Sequence, residues 1–247
     1  MKHSLLFALI GLLVVSMVLI SCNQTPTKIR VSTNATYPPF TYIDEQTGQI
    51  VGFDIDLMNA IAEKENLKIE FINVGFKPLL EGMAQSKYDA AISAISITDG
   101  RQKDMLFSDP YFLTGHVVTV RKDDTSITGK DALTGKVVGI ETGSTSAASV
   151  SEMEGVTVKD YVDFMAAFDD LMNGAIDAVV SDNTIASIYV ARNPDKLKIA
   201  GEPFTQENYG IAVAKNKPEL LEKINAGLEA VKSEGLIEEL TQKWLPQ

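Results

Sequence analysis

Few side chains in this 247-residue chain could do chemistry on a substrate, and their scarcity is informative. There are two histidines, His3 and His116, and one cysteine, Cys22. A Ser-His-Asp triad would hang on His116 alone. Intrachain disulfides, Cys-rich zinc sites and iron–sulfur clusters are excluded by count. Asp54 and Asp56 have the spacing that opens a calcium loop, but the glycine and later acids of such a loop are missing. They read instead as acids favourably placed at a helix start. Gly129-Lys130-Asp131-Ala132-Leu133-Thr134-Gly135-Lys136 approaches a phosphate loop. Five residues separate its glycines instead of four, and Val137 stands where Ser or Thr would hold magnesium. The net charge of −11 argues against a nucleic-acid partner, which would show a basic stripe. No catalytic residue, metal ion or cofactor is expected.

The N-terminus carries chemistry of another kind. Lys2 and His3 precede a 16-residue uncharged run from Leu5 to Ile20. That run is shorter than the roughly 20 residues of a spanning helix, so residues 1–21 read as a signal peptide. Leu19-Ile20-Ser21-Cys22 resembles a bacterial lipobox, the cleavage site for lipoprotein processing. Cys22 would then be the lipid-modified first residue, and a lipid tethers without spanning. Residues 22–27, with Thr25, Pro26 and Thr27, read as a flexible leader. The expected location is extracytoplasmic, on a lipid anchor.

The elements that must position any site alternate between strand-like and helix-like patterns, which implies the α/β class. Ile29 to Thr33 is β-rich. Ile55, Leu57, Met58, Ile61 and Ala62 sit at helical spacing between Phe53 and Leu67. Lys68 to Val74 alternates as a strand, Pro78 to Gln85 reads as a helix opened by proline, and Ala90 to Ile95 is apolar. An internal echo follows. Leu80-x-x-Met83-x-Gln85-Ser86-x-Tyr88-Asp89-Ala90-Ala91-Ile92-Ser93 recurs 88 residues later as Phe168-x-x-Leu171-x-Asn173-Gly174-x-Ile176-Asp177-Ala178-Val179-Val180-Ser181. Each copy is helix, tight turn, strand, and each follows a β-rich run, Lys68–Val74 or Val156–Val162. This suggests two similar α/β lobes. Ligands of such sheets sit beyond the carboxyl ends of the strands, where Ser93–Ser96 and Ser181–Asp182 fall. Pro218 to Lys243 carries two helical patterns meeting at Gly235, with Trp244 packing the end.

Several stretches then occur together in order. They are Tyr37-Pro38-Pro39-Phe40-Thr41-Tyr42, Val51-Gly52-Phe53-Asp54-Ile55-Asp56-Leu57, Ile95-Ser96-Ile97-Thr98-Asp99-Gly100-Arg101, and Phe107-Ser108-Asp109-Pro110-Tyr111. Lys136-Val137-Val138-Gly139, Thr142-Gly143-Ser144 and Asp177-Ala178-Val179-Val180-Ser181-Asp182 follow. With them the chain resembles, over nearly all of residues 28–247, the amino-acid-binding proteins of bacterial ABC importers, the glutamine-, histidine- and arginine-binding family. The resemblance implies the type II periplasmic-binding-protein fold, two α/β lobes joined by a two-strand hinge with the ligand cleft between them. Lobe 1 would comprise residues 28–112 and 207–247, and lobe 2 residues 113–206, with hinges near Pro110–Gly115 and Thr205–Tyr209. It also implies ABC permease membrane subunits as partners and a monomeric receptor.

The site implied by the resemblance has a simple electrostatic logic. A zwitterion needs a cation for its carboxylate and an anion for its ammonium. Arg101 supplies a bidentate fork for the first, with Ser96 and the N–H groups near Ser144 and Thr145 as further donors. Asp182 supplies the second, helped by the Ala94 carbonyl and the Ser96 hydroxyl. Read in isolation, Arg101 could pair with Asp99, and Asp182 could cap the helix Asn183–Arg192. Tyr37 and Phe76 read as aromatic walls or as ordinary core. Asn34, Glu141, Thr145 and Ser181 fall where family members vary with ligand. Asn34 departs from the Asp often found there, and Ser181 from His or Thr. Arg101 and Asp182 cancel the zwitterion's charges and leave Glu141 unbalanced, which calls for a cationic side chain, arginine before lysine or histidine. Glu141 could instead face solvent or pair with Lys77. Glutamine is the nearest competitor, held by Asn34 and a Glu acceptor. His116 is read as satisfied structure.

Two other functions stay open on the sequence. Some relatives of this family are dehydratases of cyclic acids, and Glu141 is the one obvious general acid for such an enzyme. A receptor serving signalling, with transport secondary, would share every residue named above.

Overall fold

The computed structural model describes residues 28–245, so the expected signal peptide and the leader that begins at Cys22 lie outside the described residues. Its strands are short apolar or alternating runs, and its helices carry the 3.6-residue periods. Strands β1 (Ile29–Thr33), β5 (Ile69–Asn73), β6 (Ala90–Ala91), β7 (Met105–Phe107) and β15 (Ala212–Ala214) form one sheet in the order β5-β1-β6-β15-β7. β1 runs parallel to β5 and β6, and β15 antiparallel to β6 and β7. Strands β9 (His116–Arg121), β10 (Val137–Glu141), β11 (Thr157–Tyr161), β12 (Ala178–Asp182) and β13 (Leu197–Ala200) form a second, in the order β11-β10-β12-β9-β13. A small sheet of β2 (Thr36–Tyr37), β3 (Thr41–Ile43) and β4 (Ile50–Val51) edges the first lobe.

The chain crosses between the two sheets twice. β8 (Phe112–Thr114) leads out and β14 (Glu207–Tyr209) leads back, paired antiparallel with Glu207 opposite Thr114 and Tyr209 opposite Phe112. This ribbon is fastened to the first lobe by aromatic packing. Phe40 meets Phe112 edge-on at 5.0 Å and Tyr209 at 5.3 Å, and both Phe40 and Tyr209 are fully buried. Truncating Phe40 to Ala would cost about 3–5 kcal/mol, the usual loss for a buried Phe.

Helix Phe53–Lys64 buries Phe53, Leu57, Met58 and Ile61 on one face. It starts at Gly52, whose φ of 133° and whose closeness to the Phe40 carbonyl leave no room for a Cβ. Helix Phe76–Ala84 begins two residues before the start expected at Pro78, since Gly75 caps it and Pro78 sits in the first turn, where an N–H has no intrahelical partner. Helices Pro218–Ser233 and Leu236–Trp244 meet at left-handed Gly235, as expected, and Trp244 packs edge-on to Tyr42 at 6.1 Å.

Asp54 stands in the first turn of its helix, as expected, with a further role that the sequence did not disclose. It is fully buried, and it accepts the Ala94 N–H at 2.7 Å and the Tyr111 hydroxyl at 2.8 Å. Burial pushes its carboxyl up to about 7, against both hydrogen bonds. Asp56 behaves as expected and meets Lys243 and Trp244 Nε1.

Candidate functional site

The carboxyl ends of β1, β6, β10 and β12 face one cavity. Ten of the residues expected there line it: Asn34, Tyr37, Phe76, Ala94, Ser96, Arg101, Glu141, Ser144, Thr145 and Asp182. Ser181 does not. Successive side chains on a strand point to opposite faces, so with Asp182 turned to the cavity, Ser181 lies behind it, fully buried.

Arg101 sits in the short helix Asp99–Gln102, whose N-cap Thr98 accepts the Arg101 N–H at 3.2 Å. It does not pair with Asp99. Its Nη1 donates to the Ser96 carbonyl at 2.8 Å and its Nη2 to the Gly143 carbonyl at 3.0 Å, while the guanidinium lies 5.5 Å from the Phe76 ring centre. Gly143 belongs to the second lobe, in a left-handed turn (φ 89°) that carries β10 into helix Thr145–Ser151. The guanidinium keeps three of its five N–H groups for another acceptor.

Asp182 occupies the N-cap position of helix Asn183–Arg192, yet its side chain caps nothing. Its Oδ2 accepts the Tyr37 hydroxyl at 2.7 Å and the Tyr209 hydroxyl at 2.6 Å. Tyr37 comes from the first lobe, so this bond also crosses the cleft. Asp182 Oδ1 is buried and has no hydrogen-bond partner among the described residues, although His116 Nε2 lies 3.5 Å away. Burial raises its pKa, against His116 and the two tyrosine hydroxyls.

Glu141 ends β10 with 3% of its surface exposed. Its Oε1 is the cavity's other buried oxygen with no partner among the described residues. It does not reach Lys77, which pairs with Glu81 at 3.4 Å. Burial first, then the charges of Asp163 and Asp182, push its carboxyl up to about 8, against the pull of Arg101. The acid end of the cavity is therefore short of positive charge.

The remaining polar groups are mostly engaged. Asn34 donates to the Val74 carbonyl at 3.1 Å and accepts the Thr36 hydroxyl at 2.6 Å. Ser144 accepts the Ala147 N–H at 3.1 Å as the helix cap, and Thr145 donates to Glu207 at 2.7 Å. Ala94 is held at φ 47° by its bond to Asp54, a left-handed backbone that non-glycine residues adopt at some cost.

Ser93, expected at a strand's carboxyl end, also lines the cavity, as does Phe164, which was not expected there. Ser93 accepts the Asn34 N–H at 3.0 Å. Phe164 meets Tyr37 edge-on at 5.9 Å and adds a third aromatic ring to the lining. The signal for Phe164 was present, because the 88-residue repeat carried four positions upstream maps Phe76 onto Phe164. His116 is satisfied structure, as expected, but in company that the sequence did not disclose. Its Nε2 lies 2.9 Å from Glu207 and its Nδ1 3.2 Å from the Ser149 hydroxyl.

Comparison with known proteins adds lineage to this geometry. The family model of "bacterial extracellular solute-binding proteins, family 3" matches residues 29–247. The "ABC transporter arginine-binding protein 1" of Escherichia coli (strain K12) is 37% identical over 226 residues, covering 89% of this chain and 91% of that protein. An ancestral arginine-binding protein solved bound to arginine superposes with a TM-score of 0.85 at 44% identity, over 89% of this chain and 98% of that one. An ancestral arginine-binding protein solved bound to glutamine gives 0.84 at 45% identity, over 88% and 97%. No helix among the described residues is long and apolar enough to cross a membrane.

Proposed function

The chain belongs to the bacterial extracellular solute-binding proteins, family 3, and from that premise we propose that it captures a cationic amino acid, arginine before lysine or histidine. Capture closes lobe 1 (residues 28–112 and 207–247) on lobe 2 (residues 113–206). The closed monomer delivers its ligand to the membrane subunits of an ABC importer, while a lipid on Cys22 keeps it at the membrane. The single observation that carries this reading is the pair of buried carboxylate oxygens, Asp182 Oδ1 and Glu141 Oε1, left without partners in a cavity that also holds Arg101. Buried acceptors in native proteins have partners, and these two call for two separate cationic donors.

The roles divide accordingly. Arg101 takes the α-carboxylate through its spare N–H groups. Asp182, with Ser96 and the Ala94 carbonyl, takes the α-ammonium. Tyr37, Phe76 and Phe164 enclose the aliphatic stem. Glu141 takes the side-chain cation, with Thr145 and the backbone at Ser144 beside it. A ligand so placed touches both lobes, and closure follows because only the closed state offers both sets of contacts. The glutamine reading has support from the glutamine-bound structure of an ancestral relative. Against it, Asn34 already has both ends of its amide engaged. A neutral amide would also give Glu141 no cation to offset the cost of ionising it in its buried place.

A thermal-shift screen of the standard amino acids tests the reading. Ligand at 100 times Kd adds about 2.7 kcal/mol, a shift of several degrees for a chain of this size. Arginine should give the largest shift, followed by lysine and histidine. A largest shift with glutamine would replace the ligand. Failure of every amino acid, together with formation of aromatic product from prephenate or arogenate, would make the chain an enzyme with Glu141 as its acid.

A further inference from the structure

Glu207 lies outside the cavity lining and has no part in ligand recognition as read above. Its carboxylate is nevertheless tied down on both oxygens. Oε2 accepts the Thr145 hydroxyl at 2.7 Å, and Oε1 lies 2.9 Å from His116 Nε2. Burial alone would raise this carboxyl, but His116 and the Ser96 and Thr145 hydroxyls outweigh burial and hold it at about 2.

These bonds join the start of the return strand to the second lobe, where the His116 backbone also meets Phe204 and Thr205. Glu207 opens β14, which is stitched to the first lobe by Ile97 N–H to the Asn208 carbonyl at 2.8 Å and Gly210 N–H to the Ile95 carbonyl at 3.0 Å. Thr145 opens the helix Thr145–Ser151, which packs on β10 and β12 of the second sheet, and His116 opens β9 of that sheet. Other direct ties cross the cleft, from Tyr37 and Tyr209 to Asp182 and from Arg101 to Gly143. These draw on groups that an amino acid would also engage. The Glu207 carboxylate bonds to none of the three charges assigned to the ligand, and of its partners Thr145 and Ser96 line the cavity while His116 does not.

We propose that Glu207 is a positioning residue for lobe closure: bonded to Thr145 and His116, it holds the second lobe against the hinge and raises the closed share of the receptor for every ligand alike. The apparent Kd of a receptor equals its intrinsic Kd divided by the competent fraction. Loosening such a latch therefore weakens all ligands by one common factor, whereas loss of a ligand-contacting group such as Glu141 changes their ratios. This inference rests on binding by lobe closure.

The test uses the full chain with Cys22→Ser and spin labels on Ile43→Cys and Val162→Cys, positions 47% and 79% exposed on the two lobes. Pulsed-resonance distances without ligand are compared for wild type, Glu207→Ala and Glu207→Gln, alongside calorimetric affinities for arginine, lysine and glutamine. Glu207→Ala should move the distance distribution to longer values and weaken all three ligands by one common factor of about 5–10. Glu207→Gln, which keeps an acceptor for Thr145, should fall between Ala and wild type. An unchanged ligand-free distribution in Glu207→Ala, or unequal losses among the ligands, would overturn the proposal. If Glu207→Ala fails to melt cooperatively, His116→Asn carries the same two readouts with the same expected direction. If wild type binds none of the three ligands, the transport reading fails, and the ligand-free distances still decide the latch.

Discussion

The two lobes are built to one plan and differ at the ends of their strands. The order β5-β1-β6-β15-β7 corresponds strand for strand to β11-β10-β12-β9-β13, with the same parallel centre and the same antiparallel return. The 88-residue repeat pairs Phe76 with Phe164, Ser93 with Ser181, and Ala94 with Asp182. The two phenylalanines share a type and a place, both lining one cavity. The last pair has diverged. The first lobe offers a backbone turn at Ala94, the engaged amide of Asn34 and the cation Arg101, while the second offers both carboxylates, Asp182 and Glu141. A common topology thus sets where side chains stand, and their identity at those places divides the charges so that neither lobe alone can neutralise an amino acid.

The sharpest way to break this division is to remove the cation that the first lobe sets into the cavity. Arg101→Ala should weaken every amino acid by about 30-fold or more, since losing a buried charged partner costs roughly 2–5 kcal/mol. Circular dichroism should show the fold intact. Unchanged calorimetric affinity would remove Arg101 from the site.

The matched walls give a smaller and symmetrical expectation. Phe76→Ala and Phe164→Ala should each lower affinity about tenfold, from the 1.5–3 kcal/mol that a buried Phe contributes. Both should lower arginine and glutamine together, because neither wall reads charge. A loss confined to one variant would show that the repeat is not functionally symmetrical.

Acidity tests the second lobe's side of the comparison. Glu141 has its carboxyl raised from 4.5 to about 8, so between those values the unfolded chain is ionised there while the native site holds a proton. Its contribution to stability is full below pH 4.5 and declines as pH rises through 8. A bound guanidinium favours the ionised form, so arginine binding should release a proton and tighten as pH rises toward 8. Calorimetry in buffers of different ionisation enthalpy measures that release, and Glu141→Gln should abolish it. The smallest expected effect is that of Cys22→Ser, which should end lipidation and leave affinity unchanged. Retained lipidation would relocate the anchor.

The sequence disclosed the strand-and-helix alternation, the two-copy plan and most of the cavity, because each rests on local periodicity or on contiguous motifs. What it concealed depended on contacts far apart in the chain. Asp54 reads as a helix-start acid until β6 and Tyr111 fold over it. Glu207 and His116 lie 91 residues apart and meet only because the two crossing strands pair. The family resemblance and the strand's carboxyl end put Ser181 at the site, but alternation along the strand turns it away from the face that Asp182 presents. The one avoidable omission was Phe164, which the repeat already contained.

The central claim is that a cation from the ligand side chain answers Glu141. The most direct test is competition between arginine and glutamine, measured on wild type and on Glu141→Gln. Wild type should prefer arginine. The substitution should reduce the arginine-to-glutamine ratio at least tenfold, about 1.4 kcal/mol, with glutamine itself spared. A wild type that prefers glutamine, or a ratio that the substitution leaves unmoved, would contradict the account.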